Sequence, residues 1–171
     1  FKFEKNETMK RYLYLLLPIF LIGCHSNAQK KTIESKVYPI TKSNGEWKAT
    51  LSDMSFYVLR EAGTERAFSG PLNKFYEEGL YVCAGCQTPL YESPYKYDSK
   101  SGWPSFDRGI DKNIEYDVDY KIGYARTELK CKMCGGHLGH MFEDGPRNTT
   151  GKRHCINSAA LAFIPKEDVK E

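Results

Sequence analysis

Apolar residues fall into distinct textures along this chain. Between Tyr12 and Ile22 they form a run of eleven residues, too short to cross a bilayer, which takes roughly 20 apolar residues in a helix. His25 to Lys36 is polar with few apolar positions, the texture of a tether. From Ser43 the pattern becomes helical in two short pieces. Ser43 followed by Glu46 is a capping-box pair that opens a helix over Trp47, and Ser52 caps a second helix through Phe56, Val58 and Leu59 that stops at Gly63. Beyond Gly63, Gly, Pro, Ser and Asn punctuate short runs rich in Tyr, Val and Ile, which is strand and turn chemistry. The runs predict strands at Leu80–Cys83, Pro89–Glu92, Ile114–Tyr120, Gly123–Cys131 and His154–Ile164. The one internal repeat is a pair of Cys-x-x-Cys units.

With 171 residues, 40% of them hydrophobic and 13% aromatic, the chain has material for one globular domain with a real core, assigned to residues 43–167. Charge removes one class of function. Residues 1 to 23 hold four Lys or Arg and two Asp or Glu, so without them 21 basic residues face 20 acidic ones. That balance gives no electrostatic footprint for nucleic acid. The same N-terminal stretch reads as a targeting segment, with Lys10 and Arg11 after Met9, then the apolar run, then Leu21-Ile22-Gly23 leading into Cys24. A small residue immediately before Cys24 resembles the lipobox of bacterial lipoproteins. That resemblance implies lipidation of Cys24 and a lipid anchor holding the chain to a membrane of the cell envelope, facing the periplasm. An ordinary signal peptide with an incidental cysteine is the alternative. On this reading residues 1–8 are an upstream extension, 9–23 the signal peptide and 24–42 the tether.

Cysteine spacing carries the first chemistry. Cys83 and Cys86 form one pair, Cys131 and Cys134 the other, with 44 residues between Cys86 and Cys131. A structural zinc takes four ligands, so neither pair closes a site alone, and together they form a Zn2+ site joining two hairpins that the fold brings together. Gly135 and Gly136 permit the tight turn that aims amides at sulfur. Two disulfides are the competing arrangement in an oxidising compartment, but small knuckle loops suit a metal. A closed four-thiolate site has no open position for substrate, so its role is to stabilise a domain of short strands.

Cys155 is then left without a partner in the folded domain. If Arg153–Ser158 is extended, its two-residue period puts Arg153, Cys155 and Asn157 on one face. The guanidinium favours the thiolate, and the amide can hydrogen-bond an oxygen on a substrate. A buried structural cysteine is the plain alternative. His137 and His140 tip the balance, because Gly139 between them disfavours a helix and lets both rings be presented from a turn or strand end. Histidine can donate a proton to an oxygen while a thiolate attacks the atom that bears it. Metal ligation is the other use of these rings, made redundant by the four cysteines.

YVCAGCQTPLY, SGWPSF, RTELKC, CGGHLGH, MFEDGP and RHCINSAAL occur in this order. Together they resemble the methionine-R-sulfoxide reductases, the type B enzymes, from Glu46 to Pro165. The resemblance implies a mainly β fold of two antiparallel sheets with short flanking helices, and a structural zinc remote from the catalytic centre. It places the nucleophile at Cys155, proton donation and oxygen binding at His137, His140 and Asn157, and the substrate's methyl pocket at Trp103. Arg153 joins as a substrate-binding residue. The implied reaction reduces methionine-R-sulfoxide in proteins or peptides and leaves Cys155 as a sulfenic acid. Many relatives carry a resolving cysteine two residues before the tryptophan, where this chain has Ser101. The expected reductant is therefore an external, thioredoxin-like thiol. Two other classes stay open at this stage: a zinc-ribbon binding module, and a thiol-based peroxide scavenger or redox sensor.

Overall fold

A computed structural model describes residues 36–169. The targeting segment at 9–23, Cys24 and most of the tether lie outside the described residues. Two short helices open the domain. In α1 (Asn44–Thr50) the capping box forms in full, Glu46 N–H donating to Ser43 Oγ at 3.3 Å and Ser43 N–H to Glu46 Oε2 at 2.8 Å. Ser52 Oγ likewise accepts from Ser55 N–H at 3.1 Å to start α2 (Asp53–Glu61). α2 ends on Ala62 in the left-handed region, φ 51°. Gly63 follows because a Cβ there would run into the Tyr57 ring.

Nine strands follow: β1 (Gly79–Cys83), β2 (Pro89–Glu92), β3 (Lys96–Tyr97), β4 (Ser105–Phe106), β5 (Ile114–Asp119), β6 (Arg126–Cys131), β7 (His137–Phe142), β8 (Arg153–Ile156) and β9 (Leu161–Pro165). They form a three-stranded sheet, β2-β1-β9, and a six-stranded sheet, β3-β4-β8-β7-β6-β5, antiparallel throughout. The expected fold class is borne out: mainly β, two antiparallel sheets, two short N-terminal helices. Aromatic packing ties the sheets together. Tyr91 of β2 stacks on Phe106 of β4 with centroids 4.3 Å apart, and Tyr81 of β1 meets Phe106 edge-on at 5.0 Å, all three fully buried. From the helices, Trp47 and Leu59 reach the Cys-x-x-Cys loops: a Cβ built on Gly85 would touch both at 3.4–3.5 Å, and one on Gly136 would lie 2.9 Å from Leu59.

The strand pattern differs from the sequence expectation in three places. The single strand expected at His154–Ile164 is two strands in different sheets, β8 and β9, parted by a 3-10 turn at Ser158–Ala160. The buried Glu65 carboxylate causes the break by accepting the N–H groups of Ser158 at 2.5 Å and Ala159 at 2.9 Å. The strand expected from Gly123 starts at Arg126, because Gly123, at φ 88°, turns the β5–β6 hairpin. His137 and His140 stand within a strand, β7, which with β3 and β4 was not among the predicted strands.

Between the sheets' aromatic residues sits His154, 2% exposed, its Nδ1 3.4 Å from the Tyr91 hydroxyl. Burial is the chief cause that pushes its pKa down from 6.5 to about 4. A folded value below the unfolded one gives stability that is complete above pH 6.5 and lost as pH falls toward 4. The gap corresponds to about 3 kcal/mol. Urea unfolding is therefore expected to show stability falling by about that amount across this pH window, and a His154→Gln variant to fall less steeply. An unchanged slope in the variant would assign the acid sensitivity to other groups.

Candidate active site

The site is built on the β7–β8 pair. Gly139 pairs with Ile156, His140 lies opposite Cys155, and on the other side of β8 Ser105 lies opposite Cys155. Gly139 permits the approach, since a Cβ there would overlap the carbonyl oxygen of Cys155. One strand further out, Leu129 opposes Gly139 whereas Lys130 opposes His137, so Leu138 is an extra residue in β7. This bulge offsets the strand's two-residue alternation and turns His137 and His140 to the same side, ring centroids 5.3 Å apart.

A cavity of about 130 Å³ opens there, lined by Cys155, His140, Trp103 and Asn157 together with Arg126 and Phe142. Trp103 is held by its indole N–H, which donates to the Glu65 carbonyl at 3.1 Å. The turn before it requires Gly102, at φ 94°, whose carbonyl accepts from Phe68 N–H at 2.8 Å. Asn157 lines the cavity but is committed at both ends of its amide: Oδ1 accepts from Glu65 N–H at 3.0 Å and Nδ2 donates to Leu138 O at 2.9 Å. Its visible work is to fix the chain on either side of Cys155. Arg153 does not line the cavity. Its guanidinium makes two 2.8 Å bonds to Asp144 and lies 4.4 Å from the centroid of the Phe142 ring, bracing that wall.

Charge around the two histidines is arranged by β5 and β6. Asp119 Oδ2 accepts from His140 Nε2 at 2.8 Å and pairs with Arg126 Nη2, while the Lys121 N–H bonds Oδ1 at 2.7 Å. That backbone bond, with the His140 and Arg126 contacts, holds the Asp119 carboxyl well below the usual range. Asp119 is thus a fixed anion and His140 Nε2 carries a hydrogen, which leaves Nδ1 as the nitrogen that can exchange a proton. Burial pushes the His140 pKa down against the pull of Asp119, so the ring rests neutral near pH 7. His137 Nδ1 lies 2.6 Å from Glu128 Oε1, and its Nε2 is buried without a partner.

Burial also pushes the Cys155 thiol up, outweighing a 3.8 Å contact with Ser101 Oγ and the nearby Arg153 charge. Arg153 does favour the thiolate, as expected, but its pull is smaller than the effect of burial, so the net shift is toward the thiol. Desolvation of a group enclosed in the cavity exceeds the attraction of a guanidinium that also bonds Asp144.

The four paired cysteines do not line this cavity. Their ligand atoms all lie within 4.8 Å of one another, with Cys83–Cys134 at 3.8 Å and Cys86–Cys131 at 3.5 Å. Those separations are far above the roughly 2.05 Å of a disulfide and match sulfurs placed around a common ion at about 2.3 Å each. The two loops share a shape: Gln87 N–H bonds Cys83 O and Gly135 N–H bonds Cys131 O, both at 2.8 Å, and both residues after the second cysteine have positive φ. One loop joins β1 to β2 and the other β6 to β7, so an ion held here would link the two sheets.

A family profile described as the SelR domain matches residues 51–165. The chain belongs to the SelR domain family. Among its relatives, a peptide methionine sulfoxide reductase MsrB from Burkholderia lata is 46% identical over 131 residues, 76% of this chain and 92% of the relative. One of the same name from Bradyrhizobium diazoefficiens is 47% identical over 141 residues, 82% of this chain and 99% of the relative. Another, from Alteromonas mediterranea, is 47% identical over 126 residues, 73% and 88% of the two chains. In this SelR domain the residues that sequence reasoning missed are Glu65, Asp119, Arg126 and Glu128. Arg126, Glu128 and Lys130 alternate along β6, a periodic charge signal that a half-buried strand does not need. Glu65 has no comparable signal, since its role depends on backbone N–H groups 93 and 94 residues away.

Gly139→Ala tests the β7–β8 contact on which this SelR domain's cavity rests. Forcing the strands apart at Cys155 is expected to cost about 1–3 kcal/mol in denaturant unfolding and to lower the rate of Cys155 alkylation measured by mass spectrometry. A variant with wild-type stability and wild-type alkylation would show that the approach is not needed.

Proposed function

We propose that this chain reduces methionine-R-sulfoxide in proteins or peptides to methionine, with Cys155 as the nucleophile. The observation that carries this reading is one small cavity holding a thiol, a histidine with a free ring nitrogen and an indole face, in a chain whose relatives are named for methionine sulfoxide reduction. The indole of Trp103 offers an apolar wall for the methyl group. A sulfoxide sulfur becomes a good electrophile when its oxygen is protonated. The resting thiol supplies that proton: it passes from Cys155 through a histidine, with His140 the leading candidate, to the sulfoxide oxygen as Cys155 sulfur attacks. Attack forms a bond between the Cys155 sulfur and the sulfoxide sulfur; the protonated oxygen then moves to the Cys155 sulfur as its bond to the substrate sulfur and the new sulfur–sulfur bond break, so the thioether leaves and Cys155 is a sulfenic acid. Thiol and sulfoxide thus become sulfenic acid and thioether with no atom left over. His137, hydrogen-bonded to Glu128, does not line this cavity; its ring packs edge-on against His140, so its part is to position that ring.

Regeneration needs two thiols. The first attacks the sulfenic acid, releasing water and forming a mixed disulfide; the second breaks it. Ser101 Oγ, 3.8 Å from the Cys155 sulfur, stands where a resolving thiol could have been, and the other four described cysteines sit in the metal-type cluster. An external, thioredoxin-like reductant fits that arrangement. For the cluster itself, Zn2+ suits four thiolates in closed tetrahedral loops, and when bound it supplies a structural cross-link and no chemistry. The lipobox-like Cys24 supports a lipid anchor in the bacterial cell envelope, with the domain facing the periplasm.

Single turnover tests the reaction. Mixing the reduced protein with one equivalent of the R-sulfoxide, without reductant, is expected to give a dimedone adduct on Cys155 by intact and peptide mass spectrometry. Cys155→Ser should give neither adduct nor methionine. Methionine formation by that variant, or an adduct on a different cysteine, would move the chemistry elsewhere. For the metal, Cys134→Ser is expected to lose the bound zinc and lower the unfolding midpoint. A metal-free active wild type with two disulfides would contradict the assignment.

A further inference from the structure

The catalytic cavity is small for a ligand pocket: about 130 Å³ against roughly 300–1,000 Å³ for sites that enclose a whole small molecule. It has room for the sulfoxide end of a side chain, so the backbone that bears the side chain must lie outside. Next to it is a larger groove of about 440 Å³, and the two are continuous, with Thr64, Arg126 and His140 lining both. One wall of the groove is the C-terminal end of α2, where Tyr57 is 45% exposed; the other is the β5–β6 turn, where Ile122 is 51% exposed. Lys121 Nζ reaches across from the turn to the Ala62 carbonyl at 3.2 Å, fixing the spacing of the two walls. Tyr57 and Ile122 are large apolar side chains left in solvent on both sides of a channel that leads to the nucleophile.

We infer that this groove seats an extended polypeptide segment of the oxidised protein, taking an apolar side chain that neighbours the methionine sulfoxide between Tyr57 and Ile122. The inference rests on the reductase reading above and adds a subsite: the groove between Tyr57 and Ile122 selects for an apolar residue beside the methionine sulfoxide. Continuity with the cavity makes a peptide the fitting occupant, because a chain entering at His140 has this groove as its path along the surface. Of the charged groups lining the groove, Arg126 pairs with Asp119, Glu128 with His137, and Lys121 bonds the Ala62 carbonyl, which leaves Glu61 beside the two apolar side chains Tyr57 and Ile122 to meet the bound chain.

The test compares two substrates on Tyr57→Ala and Ile122→Ser variants whose thermal midpoints match wild type: a blocked methionine-R-sulfoxide amide, and a short peptide with apolar residues on both sides of methionine-R-sulfoxide. Each variant is expected to lower kcat/KM for the peptide by about fivefold, the loss of about 1 kcal/mol of contact. The loss should come through KM, with kcat unchanged, and leave the blocked amino acid unaffected. Equal losses on both substrates, or none on the peptide, would overturn the inference. So would a benzophenone-bearing peptide that cross-links the Cys155→Ser protein away from the two groove walls. If wild type reduces neither substrate, the reductase reading fails and this one with it, an outcome distinct from turnover without peptide preference.

Discussion

The close approach of β7 and β8 at Gly139 is the constraint on which the site depends. A backbone without Cβ at that point lets His140 face Cys155 across one ladder position. Every other element serves that pairing. The bulge at Leu138 rotates His137 toward His140, β6 brings Glu128 and Arg126 beneath the rings, and the Glu65 carboxylate bends the chain away just after Asn157. The cysteine loops lie at the ends of the β1–β2 and β6–β7 hairpins, where they can join the sheets without entering the cavity.

Protonation follows from burial. Asp119 is held as an anion by hydrogen bonds, and Cys155 and His140 are both pushed toward their neutral forms by desolvation. A resting thiol beside a neutral imidazole stores one mobile proton, which is what a sulfoxide oxygen needs as it is displaced. A thiol kept protonated in a closed cavity also presents little thiolate to passing oxidants. Reactivity then depends on a substrate that fills the cavity and takes up the proton.

Local signals in the sequence were readable because they are local. The capping box at Ser43 and Glu46 and the cap at Ser52 formed as expected, and the two Cys-x-x-Cys pairs met because each is a rigid turn in itself. The alternation placing Cys155 apart from His154 and Ile156 also held: the last two are buried in the core while Cys155 lines the cavity. What periodicity could not carry were long-range backbone contacts. Glu65 splits one predicted strand into two sheets through N–H groups far along the chain, and the bulge in β7 is visible only once β6 is its neighbour. Arg153 illustrates a similar limit: a strand face places it beside Cys155, but its partner Asp144 comes from the preceding hairpin loop, so the guanidinium is shared with a carboxylate that the strand pattern does not reveal.

The central claim is that this cavity performs stereospecific oxygen removal from methionine sulfoxide, and separated epimers test it most directly. Incubating the protein with the R and S sulfoxides of a blocked methionine in separate reactions, with dithiothreitol as reductant, and following each by chiral chromatography gives the answer. The account predicts loss of the R epimer with matching formation of the thioether and no change in the S epimer. Consumption of the S epimer, or of neither by a folded, metal-loaded protein, would contradict it.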